Sequence, residues 1–155
     1  MDIIIKRVKE NESNLVSALF NQYRIFYKQL SDIGMAKAFI EERLVNNESV
    51  IFVALNQETE KPVGFTQLYP IYSSRMMSKN WILNDLYVDE DHRQQGIGAD
   101  LIKTVMQFAK MQGCSYVQLQ TAVDNYSAQS LYESIGFEKQ EEDKEFLLYK
   151  IKING

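Results

Sequence analysis

A strand that ends in a glycine-punctuated turn and runs straight into an amphipathic helix constrains this chain more than any other feature. Trp81-Ile82-Leu83-Asn84-Asp85-Leu86-Tyr87-Val88 is apolar with strand character, and Arg93-Gln94-Gln95-Gly96-Ile97-Gly98 follows it. Beyond the turn, Leu101, Val105 and Ala109 repeat at helical spacing with Ile102 and Met106 beside them, and Gly113 reads as the helix stop. The two glycines therefore sit where a strand becomes a helix. Backbone N–H groups stand free there, and the helix dipole favours an anion. Glycine lets the chain turn sharply and lets a phosphate approach the backbone. Two familiar phosphate patterns do not fit. A dinucleotide turn would want a third glycine where Leu101 stands, and a P-loop would want Lys-Ser or Lys-Thr where Ala99-Asp100 follow Gly98.

The 155 residues are 45% hydrophobic and 25% charged, enough for one domain with a sizeable core, so a single domain over 1–155 is expected. The net charge of −4, with no Lys/Arg-rich run, argues against nucleic acid as a partner and is compatible with a basic substrate such as an amine. Cys114 is the only cysteine, which excludes an intrachain disulfide and suits a reducing compartment. With His92 the only histidine, a zinc site of the usual kind is excluded, and no metal is expected. Met1-Asp2-Ile3-Ile4-Ile5-Lys6-Arg7 is not a signal peptide, and no apolar run approaches membrane-spanning length. A cytoplasmic protein without a membrane partner is the expectation.

The remaining elements follow from periodicity. Ile3 to Ile5 with Val8 predicts a first strand. Asn11 to Leu30 predicts an amphipathic helix, with Leu15, Leu19 and Tyr23 on one stripe, and Met35 to Val45 a second. Val50 to Leu55 and Val63 to Tyr69 read as strands joined by a turn, and Pro70 to Asn80 as a loop. After the central strand and helix, Tyr116 to Gln120 alternates as a strand and Ser127 to Ile135 is a short helix. A strand starting at Phe137 and a last one at Phe146 to Ile151 complete the order β-α-α-β-β-β-α-β-α-β-β. One α/β domain with a mixed sheet is the reading.

A second motif lies in Asn125-Tyr126-Ser127-Ala128-Gln129-Ser130-Leu131-Tyr132-Glu133-Ser134-Ile135-Gly136-Phe137. Helical spacing puts Ala128, Leu131, Tyr132 and Ile135 on one face, and Gly136 ends the helix. With R-x-x-G-x-G before it, this N-x-x-A-x-x-L-Y-E-x-x-G-F run resembles the signature of the GNAT superfamily of N-acetyltransferases, and the resemblance covers essentially the whole chain. It implies a single-domain GNAT fold: a mixed, mostly antiparallel central sheet, splayed at the acetyl-CoA site and flanked by helices. It implies acetyl-CoA as cosubstrate. The edge of Leu86, Tyr87 and Val88 would pair with the pantetheine arm. The N–H groups of Arg93, Gln94, Gln95, Gly96, Ile97, Gly98 and Ala99 would hold the pyrophosphate. Asn125 and Ala128 would adjoin the arm, and Tyr132 would place its hydroxyl near the thioester sulfur. The family often dimerises, so a homodimer is compatible with the resemblance.

Acyl transfer to an amine requires the amine to be neutral, and at pH 7 an alkyl amine is neutral in only about one molecule in several thousand. The developing oxyanion needs donors, which a free backbone N–H near Leu86 could supply. The leaving thiolate needs a proton, and Tyr132 is the natural general acid. The base is open between Asp85 acting directly and a water ordered by Asp85 or Tyr87. Related small-amine acetyltransferases often carry a Glu-Asp pair where this chain has Asn84-Asp85. By the resemblance the acceptor enters between the first two helices and the loop before the central strand. Tyr23, Tyr27, Trp81 and Asn84 are candidate substrate contacts there, with Phe26, Tyr69, Tyr72, Asp32, Glu41 and Glu42 nearby; an aromatic pocket with a carboxylate suits a cationic amine. The expected activity is transfer of the acetyl group to a primary amine of a small molecule in a ternary complex. The alternatives are a protein lysine or amino-terminal acetyltransferase, and a non-catalytic acyl-CoA sensor.

Overall fold

The computed structural model describes residues 2–153. They fall into two compact units, one ending at Gln120 and one beginning at Thr121. The first holds a five-stranded sheet of β1 (Ile3–Arg7), β2 (Val50–Asn56), β3 (Pro62–Ser73), β4 (Ser78–Val88) and β5 (Val117–Gln118), in that spatial order. Neighbours are antiparallel except β4 and β5, which are parallel. This is the mixed, mostly antiparallel sheet expected from the sequence.

Two helices, α1 (Ser17–Phe26) and α2 (Ile33–Val45), bury their apolar stripes against one face of the sheet, and α3 (Ile97–Met111) packs on the other. The alternation of β2 explains both layers. Ile51, Val53 and Leu55 join Val16, Leu19, Phe20, Ala36, Ile40 and Phe65 in one cluster, whereas Phe52 meets Phe108 of α3. The side chain of Asp32 caps α2 by accepting the Met35 N–H (3.0 Å), so this acidic residue serves the helix start. The expected helix over Asn11–Leu30 is shorter: a 3-10 turn at Ser13–Leu15 precedes α1, and Lys28, at φ 65°, turns the chain out of it.

Gly64 sets how closely α3 approaches the sheet. A Cβ at this position would lie 3.1 Å from the Tyr87 carbonyl oxygen and 3.4 Å from both Ile97 and Leu101. Gly64→Val is therefore expected to destabilise the fold by about 2 kcal/mol through overpacking. The check is a urea melt, and an unchanged midpoint would refute the close contact.

The expected loop over Pro70–Asn80 is instead a hairpin: β3 continues to Ser73, β4 begins at Ser78, and the two pair to the tip. Pro70 is tolerated because β2 starts opposite Leu68, so among the described residues no strand pairs with that side of β3 beyond Leu68. Within the same hairpin, Gln67 pairs with Asp85 but Leu68 pairs with Leu83, so Asn84 is an extra, unpaired residue. Such a bulge twists and re-aims a strand.

In the second unit α4 (Tyr126–Ile135) starts at Asn125, whose side chain accepts the Ala128 N–H (3.2 Å), and ends at Gly136, which takes φ 119°. The strands expected from Phe137 and at Phe146–Ile151 are not present among the described residues. Asp143 turns the chain locally instead, accepting the N–H groups of Glu145 (2.9 Å) and Phe146 (3.0 Å).

Candidate active site

The bulge decides where the carboxylate goes. In a regular strand Leu83 and Asp85 would share a face. Here Leu83 pairs with Leu68 on the α3 side, while Asp85 pairs with Gln67 on the side of α1 and α2. Asp85 is only 3% exposed. Asn84 donates its side-chain amide to one carboxylate oxygen (3.0 Å), and Gln67 donates its amide to the other. Gln67, fully buried, is held in turn by the Ser49 hydroxyl, which donates to its carbonyl oxygen (2.8 Å). The Tyr23 hydroxyl of α1 donates a long hydrogen bond to the Asn84 carbonyl (3.4 Å), next to Asp85 in the chain.

These surroundings set the proton affinities. Burial raises the Asp85 carboxyl above the ordinary carboxylate range, and the hydrogen bonds from Gln67 and Asn84 oppose that rise. Burial also pushes the Tyr23 phenol up, with the negative charge of Asp85 adding to it. Tyr69 is raised to about 12 by burial and by the same carboxylate. A carboxylate with raised affinity is a better base toward an amine than an exposed one.

Tyr69 also lines an open cleft of about 510 Å³, together with Phe39, Arg43, Glu48 and Pro70. Arg43 lies over the Phe39 ring (4.2 Å) and pairs with Glu42 and Glu48 (3.1 Å each). Glu41, by contrast, is simply exposed.

The open edge of β4 adjoins the bulge. β5 pairs only with Trp81 and Ile82, so from Leu83 to Val88 no strand covers that side of β4 among the described residues. The expected strand over Tyr116–Gln120 is thus reduced to Val117–Gln118, and the sheet is splayed. At the end of β4 the chain passes through a 3-10 turn, Glu90–His92, steadied by His92 against Asp89 (2.7 Å). It then enters the glycine loop. Gln94 (φ 62°) and Gly96 (φ 81°) are both left-handed, and Gly96 caps α3. The Asp100 N–H is bonded to the Gly96 carbonyl (3.0 Å). The N–H groups of Ile97, Gly98 and Ala99 precede that first intrahelical bond and point out of the helix start, a concavity suited to an anion. The Arg93 side chain folds back: it donates to the Val88 carbonyl (3.0 Å) and lies over the rings of Tyr87 (5.3 Å) and Phe26 (5.5 Å).

Of the candidate substrate contacts, Tyr23 and Asn84 meet at Asp85. Tyr27 touches the Tyr23 ring (4.9 Å) and is half-exposed. Trp81 does not join them. It is 4% exposed and packs on Phe108, on the α3 side of the sheet, because the bulge separates its face from that of Asp85. Tyr72 is exposed toward the hairpin tip. Gln67, Ser49 and Arg43 were not singled out from the sequence. The one signal for Gln67 was an amide in an otherwise apolar strand. In the second unit, Asn125 uses its carbonyl oxygen as the α4 cap, Ala128 lies in the first turn, and Tyr132 packs on Phe137 (6.0 Å).

This arrangement matches what is known of other proteins. Residues 16–137 match the Acetyltransferase (GNAT) family. The N-acetyltransferase YhfO of Bacillus subtilis is 42% identical over 149 residues, covering 96% of this chain and 97% of YhfO. A probable acetyltransferase of Haemophilus influenzae is 33% identical over 130 residues, covering 84% of this chain and 86% of its own. A crystal structure of a probable acetyltransferase superposes with a TM-score of 0.85 at 39% identity, covering 100% of this chain and 99% of the other. Fold and relatives together define an acyltransferase of the N-acetyltransferase class. The chain belongs to the GNAT family, whose members generally use acetyl-CoA.

Proposed function

We propose that this enzyme moves the acetyl group of acetyl-CoA to the primary amine of a small molecule, by direct attack in a ternary complex. The observation that carries the reading is the buried Asp85, raised in proton affinity and set by a bulge beside an open strand edge. Acetyl-CoA fits the residues present: the left-handed Gln94 and Gly96 open a concavity of N–H groups, and the uncovered edge of β4 offers backbone partners. When bound, it supplies an acetyl group activated as a thioester.

The residues divide the work. The N–H groups from Arg93 through Ala99 hold the pyrophosphate, and each charge-assisted bond contributes roughly 1.5–3 kcal/mol. Leu86, Tyr87 and Val88 bind the pantetheine arm through their backbone. Asp85 takes the proton that must leave the acceptor ammonium, and Tyr132 holds the proton that the leaving thiolate needs. The acceptor occupies the cleft of Phe39, Glu48 and Tyr69, whose volume is that of a small-molecule site.

The test is release of free CoA from acetyl-CoA, followed with a thiol reagent, against spermidine, L-lysine, kanamycin and a lysine-containing peptide. Release above background hydrolysis with one of the first three is expected. Release with the peptide alone would make the enzyme a protein acetyltransferase, and tight acetyl-CoA binding without any release would make the domain a sensor.

A further inference from the structure

Asp85 is a buried carboxylate without a counter-ion. It is 3% exposed, and no ion pair among the described residues includes it. The ionisable side chains on this face of the sheet are the phenols of Tyr23 on α1, Tyr69 on β3 and Tyr87 on β4, with Arg43 and Glu48 near Tyr69. Arg43 is already paired with Glu42 and Glu48 (3.1 Å each). Neutral amides therefore face the carboxylate, Gln67 on one oxygen and Asn84 on the other (3.0 Å).

An amide can meet a carboxyl group in two ways. Its N–H end donates to an ionised carboxylate, whereas its carbonyl end accepts from a protonated one. The end that faces Asp85 thus selects the protonation state. For Gln67 the choice is made one residue further out. Ser49 stands just before β2, and because Val50 pairs with Leu68 it lies diagonal to Gln67 on the same face. Its hydroxyl donates to the Gln67 carbonyl oxygen (2.8 Å), which leaves the N–H end for Asp85. Both residues are buried, so water does not compete for the amide.

We propose that Ser49 is a positioning residue for acetyl transfer: its hydroxyl fixes which end of the Gln67 amide faces Asp85, and so keeps the buried carboxylate in the ionised form that can accept a proton. The inference rests on the reading of Asp85 as the base. The Asp85 main chain is held separately, by the Thr66 hydroxyl donating to its carbonyl (2.8 Å), so the amide is the part left to turn. Without the Ser49 hydroxyl, Gln67 can rotate its carbonyl toward Asp85. The carboxyl then satisfies that carbonyl by keeping a proton, and a carboxyl that keeps its proton is no base.

Ser49→Ala, Ser49→Thr, Gln67→Met and Asp85→Asn test this. The Asp85 carboxyl is titrated by carbon NMR in the ligand-free proteins, and kcat is followed against pH with whichever of the four panel amines supports CoA release. Ser49→Ala is expected to move the Asp85 titration upward and the acidic limb of kcat with it, because the charged form loses a hydrogen bond. On that limb kcat should fall about 10-fold, the scale of one hydrogen bond to a charged group. Above the limb it should return to within a few-fold of wild type, with KM for the amine unchanged. Gln67→Met removes the amide itself and should move the titration in the same direction. Ser49→Thr keeps the hydroxyl and should restore both the titration and the profile. An unmoved titration in Ser49→Ala would overturn the assignment whatever the activity. A loss of kcat equal at every pH, or a Ser49→Thr displaced as far as Ser49→Ala, would make the effect one of packing and overturn it too. A wild-type profile in Ser49→Ala beside an impaired Asp85→Asn would remove Ser49 and leave the base in place. Wild-type turnover in Asp85→Asn would remove the base, and the role of Ser49 with it.

Discussion

Replacing Asp85 with asparagine is expected to lower kcat about 1,000-fold and to leave acetyl-CoA affinity unchanged, because general acid–base groups typically contribute about 10²–10⁴-fold. The wild-type pH–rate profile should carry an acidic limb displaced above the ordinary aspartate value of 3.8, and the variant should lack it. Stability provides an independent reading. The folded-state affinity of Asp85 for its proton is raised, so its contribution is fully present below the unfolded-state pKa and is lost as pH rises through the folded one. The melting temperature of Asp85→Asn relative to wild type should therefore improve as pH climbs from about 4 toward neutrality. A variant with wild-type turnover, or a relative stability flat with pH, would remove the buried ionised carboxylate from the account.

Gly96→Glu is expected to weaken acetyl-CoA binding about 100-fold by calorimetry, which corresponds to about 2.8 kcal/mol. Two effects add. Gly96 adopts φ 81°, a left-handed conformation that costs other residues about 1–2 kcal/mol. The new carboxylate then stands at the mouth of the N–H concavity, where it repels an anion. Crowding plays no part in the free protein, since nothing lies within 4 Å of a Cβ there. Gly96→Ala separates the contributions: it keeps the strain, adds no charge, and should retain most of the affinity. Unchanged affinity in Gly96→Glu would mean that the phosphates bind elsewhere.

The layers of the fold were readable because local pattern and tertiary burial agree. The apolar run of β2, the stripe of α3 and the stop at Gly113 all survive in the structure. The glycine loop was readable for the same reason, although the left-handed turn at Gln94 was not, because that residue type does not announce it. The surroundings of Asp85 were legible only in part. Asn84-Asp85 stood out in the sequence, but Gln67, Ser49 and Tyr23 come to it through long-range pairing that no local window contains. Trp81 illustrates the cost: next to a bulge, alternation along the strand assigns the wrong face. The strands expected beyond Gly136 rested on apolar runs, and Asp143 turns the chain locally just ahead of the second of them.

The extra residue at Asn84 has a consequence for how this enzyme can vary. It acts as a phase shifter, dividing β4 into two stretches that keep separate time. Upstream, Trp81 and Leu83 answer to α3; downstream, Asp85 and Tyr87 answer to α1. Each stretch can be rewritten to suit its own layer without dragging the other along. Deleting that single residue would leave a regular ladder that still sets Asp85 opposite Gln67, but it would take the Asn84 amide from the carboxylate and the added twist from the strand, so the acid would keep its face and lose its setting.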